Sequence, residues 1–331
     1  MKIELIKIKL FSALICIFMF YSCDPEHKET IEPEKPSIEN PEEPERPESP
    51  DEPEIPSTNT IINLNNEFMI VGSQSWIGAA YGNGIFVVGG EKGYVTTSTD
   101  EGKTWSTPKQ LITTGSWSNV IYANGSFMML SFHDGKLATS TDGTIWTIGD
   151  TYSLEYWRGL AYGNGIYVAV GPSNGIMMTS PDGKTWTKRT VGSVIWKDIA
   201  YGNGIFIAIS DGYYFTTSTD GVTWAKPKKI SNAERGYDII TFGNGKFVVA
   251  EGYRGNTQTT TDGVTWTTPN TSSGNHDWKG IAASNGKFIL VGSSGYYTTS
   301  TDGITWEAPI QIKGESGNVY SGYLYDVCAT Q

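Results

Sequence analysis

The sequence predicts an all-β protein: a β-propeller of six four-stranded Asp-turn blades, to which the two ends of the chain add a minimal seventh. Two motifs recurring on a common beat of about 40 residues point to it, and so does the composition. The 331 residues include 39 Gly, 11 Trp and 18 Tyr, while only 18% are charged. Such a chain is rich in turns and aromatic rings, and long amphipathic helices are excluded.

The first motif is a turn ending in tryptophan. It reads STDEGKTW at 98–105, STDGTIW at 140–146, SPDGKTW at 180–186, STDGVTW at 218–224, TTDGVTW at 260–266 and STDGITW at 300–306. The second reads YGNG at 81–84 and returns as YANG at 122, YGNG at 162 and 201, FGNG at 242 and ASNG at 283, each time preceded five residues earlier by Trp76, Trp117, Trp157, Trp196, Tyr237 or Trp278. All 11 tryptophans fall within the two motifs, so each has a structural explanation available.

Strands follow from the spacing. Trp196 to Tyr201 is a short apolar strand that ends in Asn203-Gly204, the signal for a type I′ hairpin, and Ile205 to Ser210 runs back from it. YYFTTSTDG then supplies a third strand and turn, and a fourth opens at Trp224. Four short antiparallel strands per ~40 residues is the blade period of a propeller.

At the ends of the domain the pattern thins. YLYDVCATQ aligns with an inner strand such as WKDIAYGN, and NNEFMIVGS at 65–73 aligns with the second strand NGKFILVGS at 285–293. Only seven residues separate Phe68 from Trp76, so no third or fourth strand fits between them. A minimal seventh blade is expected, with a plain six-bladed ring as the competing arrangement. Cys328 falls where other repeats place Ala161, Ala200 and Ala282, as a small buried residue would.

The turns resemble the Asp-box, or BNR, repeats of sialidase-like propellers. That resemblance implies that Asp100, Asp142, Asp182, Asp220, Asp262 and Asp302 are architectural: the aspartate caps turn amides and the glycine allows the backbone path. Only the first box has the full eight-residue spacing. Sialidase-like catalysis would require three arginines gripping a substrate carboxylate. The folded region holds only Arg158, Arg189, Arg235 and Arg254, and the arginine motif that usually precedes the first box has no counterpart upstream of Ser98. Propellers of this kind also resemble assembly factors such as the photosystem II stability factor, which act through protein contacts.

Residues 1–22 read as a lipoprotein signal peptide. Lys2, Lys7 and Lys9 precede an apolar run from Leu10 to Phe20, too short to span a bilayer, and Tyr21-Ser22-Cys23 follows. This resembles the bacterial lipoprotein cleavage box, with Cys23 as the lipidated residue; Asp24 and Glu26 after it resemble the export signal of Bacteroides-type surface lipoproteins. Residues 23–58 form a linker holding nine of the 15 prolines, with Pro41, Pro44, Pro47, Pro50, Pro53 and Pro56 at the three-residue period of polyproline II. It carries 13 acids against three bases from residue 24 on, so it should extend rather than fold. The domain proper is 59–331.

The chain carries 24 Lys and Arg against 35 Asp and Glu, a net charge of −11, which argues against nucleic acid as a partner. With only three histidines in the whole chain, His27, His133 and His276, and one cysteine, Cys328, in the folded region, no metal site and no cofactor are expected. The two constant turns of each unit share one face of the ring; the loops that vary from repeat to repeat share the other. Beside the aromatic that opens each inner strand, the next position changes character: Ile77, Ser118, Arg158, Lys197, Asp238 and Lys279. A repeated core position should not alternate in charge, so these residues are expected to line the channel mouth. Trp76, Trp117, Trp157, Trp196, Tyr237 and Trp278 would then offer stacking faces for a sugar, or else wedge between blades. The resulting expectation is a monomeric, lipid-anchored, outer-membrane surface protein that binds a glycan or a protein partner without catalysis. The alternatives are a glycoside hydrolase of sialidase-like type and a protein-assembly scaffold.

Overall fold

The computed structural model describes residues 61–64, 68–72, 76–150, 156–171, 175–230, 236–271, 273–274, 276–313 and 319–329. The expected signal segment, Cys23 and the proline-rich linker lie outside the described residues, as does Arg235. The described chain forms seven antiparallel sheets and thus a seven-bladed propeller.

The fourth blade shows the pattern. Its inner strand Trp196–Gly202 pairs with Ile205–Ser210, which pairs with Tyr214–Ser218 and then with the short outer strand Lys228–Lys229. The hairpin closing the first pair has Asn203 at φ 48° and Gly204 at φ 78°, the double left-handed turn that Asn-Gly favours. The same pair of positive angles recurs at the five other Asn-Gly turns.

Two blades depart from four strands. The fifth has three, Ile239–Gly243, Lys246–Ala250 and Thr257–Thr260, with a single bridge from Thr257 to Asn270 outside them. The terminal blade is built from Leu324–Ala329 inside, then Phe68–Gly72, then Ile61–Leu64. This corrects the expectation of six blades plus a minimal seventh. The third strand of the terminal blade is supplied from upstream of Phe68, where the count of residues between Phe68 and Trp76 could not reveal it.

Burial makes that blade a full member of the ring. Seven apolar clusters lie between neighbouring blades. One joins Met69 and Val71 to Trp76, Phe86 and Val88 of the first blade, and another joins Phe68, Ile70 and Leu324 to Ile289 and Val291 of the sixth. Closure by apolar contact on both sides removes the exposed sheet edges that an open ring would present.

Three blades also lean on an aromatic ring of the next through a glycine, Gly82, Gly163 or Gly202. A Cβ on Gly163 would lie 2.1 Å from the Tyr201 ring, and one on Gly202 would lie 2.1 Å from the Phe242 ring. The first glycine of the YGNG motif is therefore required by the aromatic of the following blade, not by the turn.

Candidate functional site

The two faces of the ring differ in chemistry. On one face the aspartate turns are uniform: in the fourth blade Asp220 Oδ1 accepts the amides of Val222 and Thr223 at 2.8 and 2.7 Å, and Ser218 Oγ accepts the amide of Gly221 at 2.8 Å. These hydrogen bonds hold Asp100, Asp142, Asp182, Asp220 and Asp262 down to a pKa of about 2, and Asp302 is lowered too, its two turn amides outweighing partial burial. A carboxylate so engaged is committed to its turn. Trp146 and Trp224 lie against their own turns, donating Nε1–H to the carbonyls of Gly143 and Gly221 at 2.9 and 3.0 Å.

At the opposite mouth of the channel, the residues expected to line it do converge. Ile77, Ser118, Arg158, Lys197, Asp238 and Lys279 all border one cavity of about 550 Å³. Tyr325 of the terminal blade occupies the seventh equivalent position and borders it as well. Sequence reasoning missed Tyr325, although aligning LYDVCA with WKDIAY puts it at the position of Lys197. Phe132, Gly252 and Tyr253, from loops between second and third strands, complete the rim.

The ring aromatics behave otherwise. Trp76, Trp117, Trp157, Trp196 and Trp278 are fully buried, and Tyr237 is 2% exposed. They wedge between blades: Trp117 packs with Val87 and Val95 of the preceding blade and donates Nε1–H to the Gly93 carbonyl at 2.9 Å. The reading of these six as stacking surfaces is therefore corrected. Side chains alternate across a strand, so when the charged neighbour faces the channel, the aromatic is turned into the blade interface.

One position further along, the inner strands are stitched together. Asp198 accepts the amide of its own neighbour Ile199 at 2.8 Å and, through its other oxygen, that of Ile240 in the next blade at 2.9 Å. Asp326 accepts the amide of Ala79 at 3.0 Å, and Asn119 Nδ2 donates to the Arg158 carbonyl. The blade before each of these carries glycine: Gly78, Gly159 and Gly280. A Cβ on Gly159 would fall 2.9 Å from Asp198 Cα, and one on Gly280 2.8 Å from Asp326 Cα. This alternation of glycine with a polar bridge is legible in the repeats as W-I-G, W-S-N, W-R-G and W-K-D, but its purpose appears only in three dimensions.

Desolvation dominates the electrostatics of those two aspartates. It raises both Asp198 and Asp326 to about 7 against the lowering effect of the backbone amides, and Asp326 adds to the rise at Asp198. Around them, Lys197 pairs with Asp238 at 3.1 Å and Lys279 with Asp277 at 2.9 Å. Asp238 also accepts the Gly252 amide at 2.9 Å. Arg158 places its guanidinium carbon 5.9 Å from the centre of the Phe132 ring, and its Nε finds no hydrogen-bond partner among the described residues. Arg189 instead belongs to an outer strand and donates to Thr179 Oγ1 at 3.2 Å, so it takes no part in the mouth.

Beside the axial cavity lies a lateral hollow of about 500 Å³, bordered by Lys197, Asp211, Tyr213, Gly236, Asp238, Glu251 and Tyr253. Among the described residues no group of three or more histidine, cysteine, aspartate or glutamate side chains could hold a metal.

The fold defines a β-propeller domain with a polar cavity at one mouth of its channel. Residues 65–192 match the family described as DUF6242 beta propeller domain. No curated protein sequence matches the chain. Among solved structures it is similar to virginiamycin B lyase from Staphylococcus aureus, with TM-score 0.64 and 12% identity over 75% of this chain and 89% of that one. It is similar also to YCF48 from Cyanidioschyzon merolae, with TM-score 0.56 and 18% identity over 73% and 87%. YCF48 bound to D1 peptide matches with TM-score 0.58 and 16% identity over 76% and 87%. At such identities the likeness concerns the fold.

Proposed function

We propose that this propeller is a non-catalytic binding module displayed at a cell surface, taking a glycan at the channel mouth. The observation that carries the reading is the axial cavity, to which all seven blades contribute the same strand position with six different residue types. Positions that hold a ring together are repeated in kind; positions that meet a ligand need not be. Arg158, Lys197, Asp238 and Lys279 supply directional donors and acceptors for sugar hydroxyls. Tyr253, 65% exposed, and Tyr325 supply the ring faces that the buried tryptophans do not. Cys23 as lipid anchor and residues 24–58 as an acidic, extended spacer would hold the ring away from an outer membrane.

A second reading, a protein-assembly scaffold, draws on the similarity to YCF48, which has been solved with a D1 peptide. Glycosidase chemistry would draw on a pair of carboxylates such as Asp238 and Glu251, which border the lateral hollow together with Asp211.

The test is a glycan array probed with the full chain carrying Cys23→Ser, alongside pull-down from surface extracts. Glycan binding that is lost in Tyr325→Ala with the melting temperature unchanged is the expected result. A silent array with a specific protein captured would overturn it in favour of the scaffold. Turnover of an aryl glycoside abolished by one carboxylate substitution would overturn the non-catalytic reading.

A further inference from the structure

The lateral hollow lies where two neighbouring blades break the repeat at three positions, two of which, Tyr213 and Glu251, border it. The residue five before the turn serine or threonine is glycine in five blades, Gly93, Gly135, Gly175, Gly255 and Gly295, with φ between 63° and 75°. In the fourth blade it is Tyr213, held at φ 67°. Its carbonyl accepts the Ile230 amide at 2.8 Å, as the Gly175 carbonyl accepts that of Val191, so the turn is the same and only the side chain is new. A bulky residue is strained in that region and is retained only where something requires it. In the fifth blade, Tyr237 stands where five other blades open with tryptophan. Glu251 stands where the others have Gly90, Ser131, Gly171, Ser210 and Gly292.

Glu251 is the informative group. It is 3% exposed, its backbone amide donates to the Asn256 carbonyl at 2.8 Å, and Asn256 Nδ2 donates to its Oε2. Glu251 borders the hollow, and its buried Oε1 has no hydrogen-bond partner among the described residues. A buried carboxylate oxygen left open is costly, and the cost is recovered when a donor arrives.

Charge selects the donor. The hollow holds Asp211, Asp238 and Glu251 against Lys197, and Lys197 is already paired with Asp238 at 3.1 Å. Among the described residues that line the hollow, two carboxylates are left for a cation to balance. Tyr213 and Tyr253 add ring faces, which attract a cation as well as a sugar. The hollow shares Lys197, Asp238 and Tyr253 with the axial cavity, so one ligand can occupy both.

We propose that this hollow recognises a primary ammonium group, carried by an unacetylated amino sugar within the glycan taken at the channel mouth. The ammonium donates to Glu251 Oε1 and lies against the tyrosine faces. Acetylation removes both the charge and two of the donors, so the site discriminates between the two forms of one sugar. The inference rests on the glycan reading above.

Calorimetric titration of the full chain with a glucosamine oligomer and with its fully N-acetylated counterpart tests it. The free amine should bind about tenfold more tightly. Glu251→Gln, which keeps the shape and removes the charge, should erase that preference. Tyr213→Gly, which restores the glycine of the other blades, should raise the melting temperature yet weaken amine binding; this variant decides the matter if Glu251→Gln fails to fold. Equal affinity for both oligomers would overturn the ammonium assignment while leaving the glycan reading in place. Binding of neither oligomer, with a lysine-rich peptide bound instead, would overturn the sugar as its source together with that reading.

Discussion

The two faces of this ring are made from the same repeats yet obey different rules. On the face of the aspartate turns, five blades repeat one another down to single hydrogen bonds: a serine or threonine hydroxyl takes the glycine amide, and an aspartate takes the amides that follow. On the opposite face, equivalent positions hold isoleucine, serine, arginine, lysine, aspartate and tyrosine. The difference teaches where the chain is constrained by folding alone. A turn or wedge that recurs in every blade answers to local geometry, which is the same in every blade. A position that changes charge from blade to blade answers to something outside the repeat.

The largest effect should come from the wedges. Trp196 is fully buried between blades, so Trp196→Ala should cost about 3–5 kcal/mol in denaturant unfolding. A loss below about 1 kcal/mol would mean that these aromatics do not hold the blades together, and the contrast between the faces would collapse.

Next comes pH, which acts on the two faces with opposite sign. The turn aspartates have folded pKa values near 2, below the ordinary carboxylate value, so their contribution is present above about pH 4 and is lost as the pH falls toward 2. Asp198 and Asp326 are raised to about 7, so their contribution is greatest below about pH 4 and is lost as the pH rises through 7. In thermal melts across pH 4 to 8, Asp326→Asn should therefore gain stability relative to the parent as the pH rises. An unchanged difference would show that the burial of Asp326 does not control its titration.

The smallest effect on stability should be at the channel mouth itself. Lys279 is paired with Asp277 across a solvent-exposed contact of 2.9 Å, and Lys279→Ala should alter unfolding by less than about 0.5 kcal/mol. If the mouth is the ligand site, the same variant weakens glycan binding in titration. A stability loss as large as that of Trp196→Ala would place Lys279 among the structural positions.

Much of this was legible in the residues. The Asn-Gly turns have the backbone angles that those two residues favour, and the tryptophan beat marks the six blades that carry an aspartate turn, because each of them sets an aromatic wedge against its neighbour and a ring beside its turn. The channel-mouth set was found from a single departure from periodicity, the alternating charge after the aromatic. What periodicity could not assign was the direction of the aromatic. In a strand the two faces differ by one residue, and which face meets the channel depends on how the blades stand around the axis.

Local sequence determined the repeat, its turns and the strand pairing inside each blade, because these depend on residues a few positions apart. The number of blades was decided by closure: Ile61–Leu64 and Leu324–Ala329 meet through Phe68–Gly72, and no window of sequence contains both ends. The glycine that faces a bridging aspartate, the burial that lifts Asp198 and Asp326, and the meeting of Tyr213 with Glu251 were likewise decided only in the tertiary structure. Each depends on two neighbouring blades, and the contact between them exists only once the ring has closed.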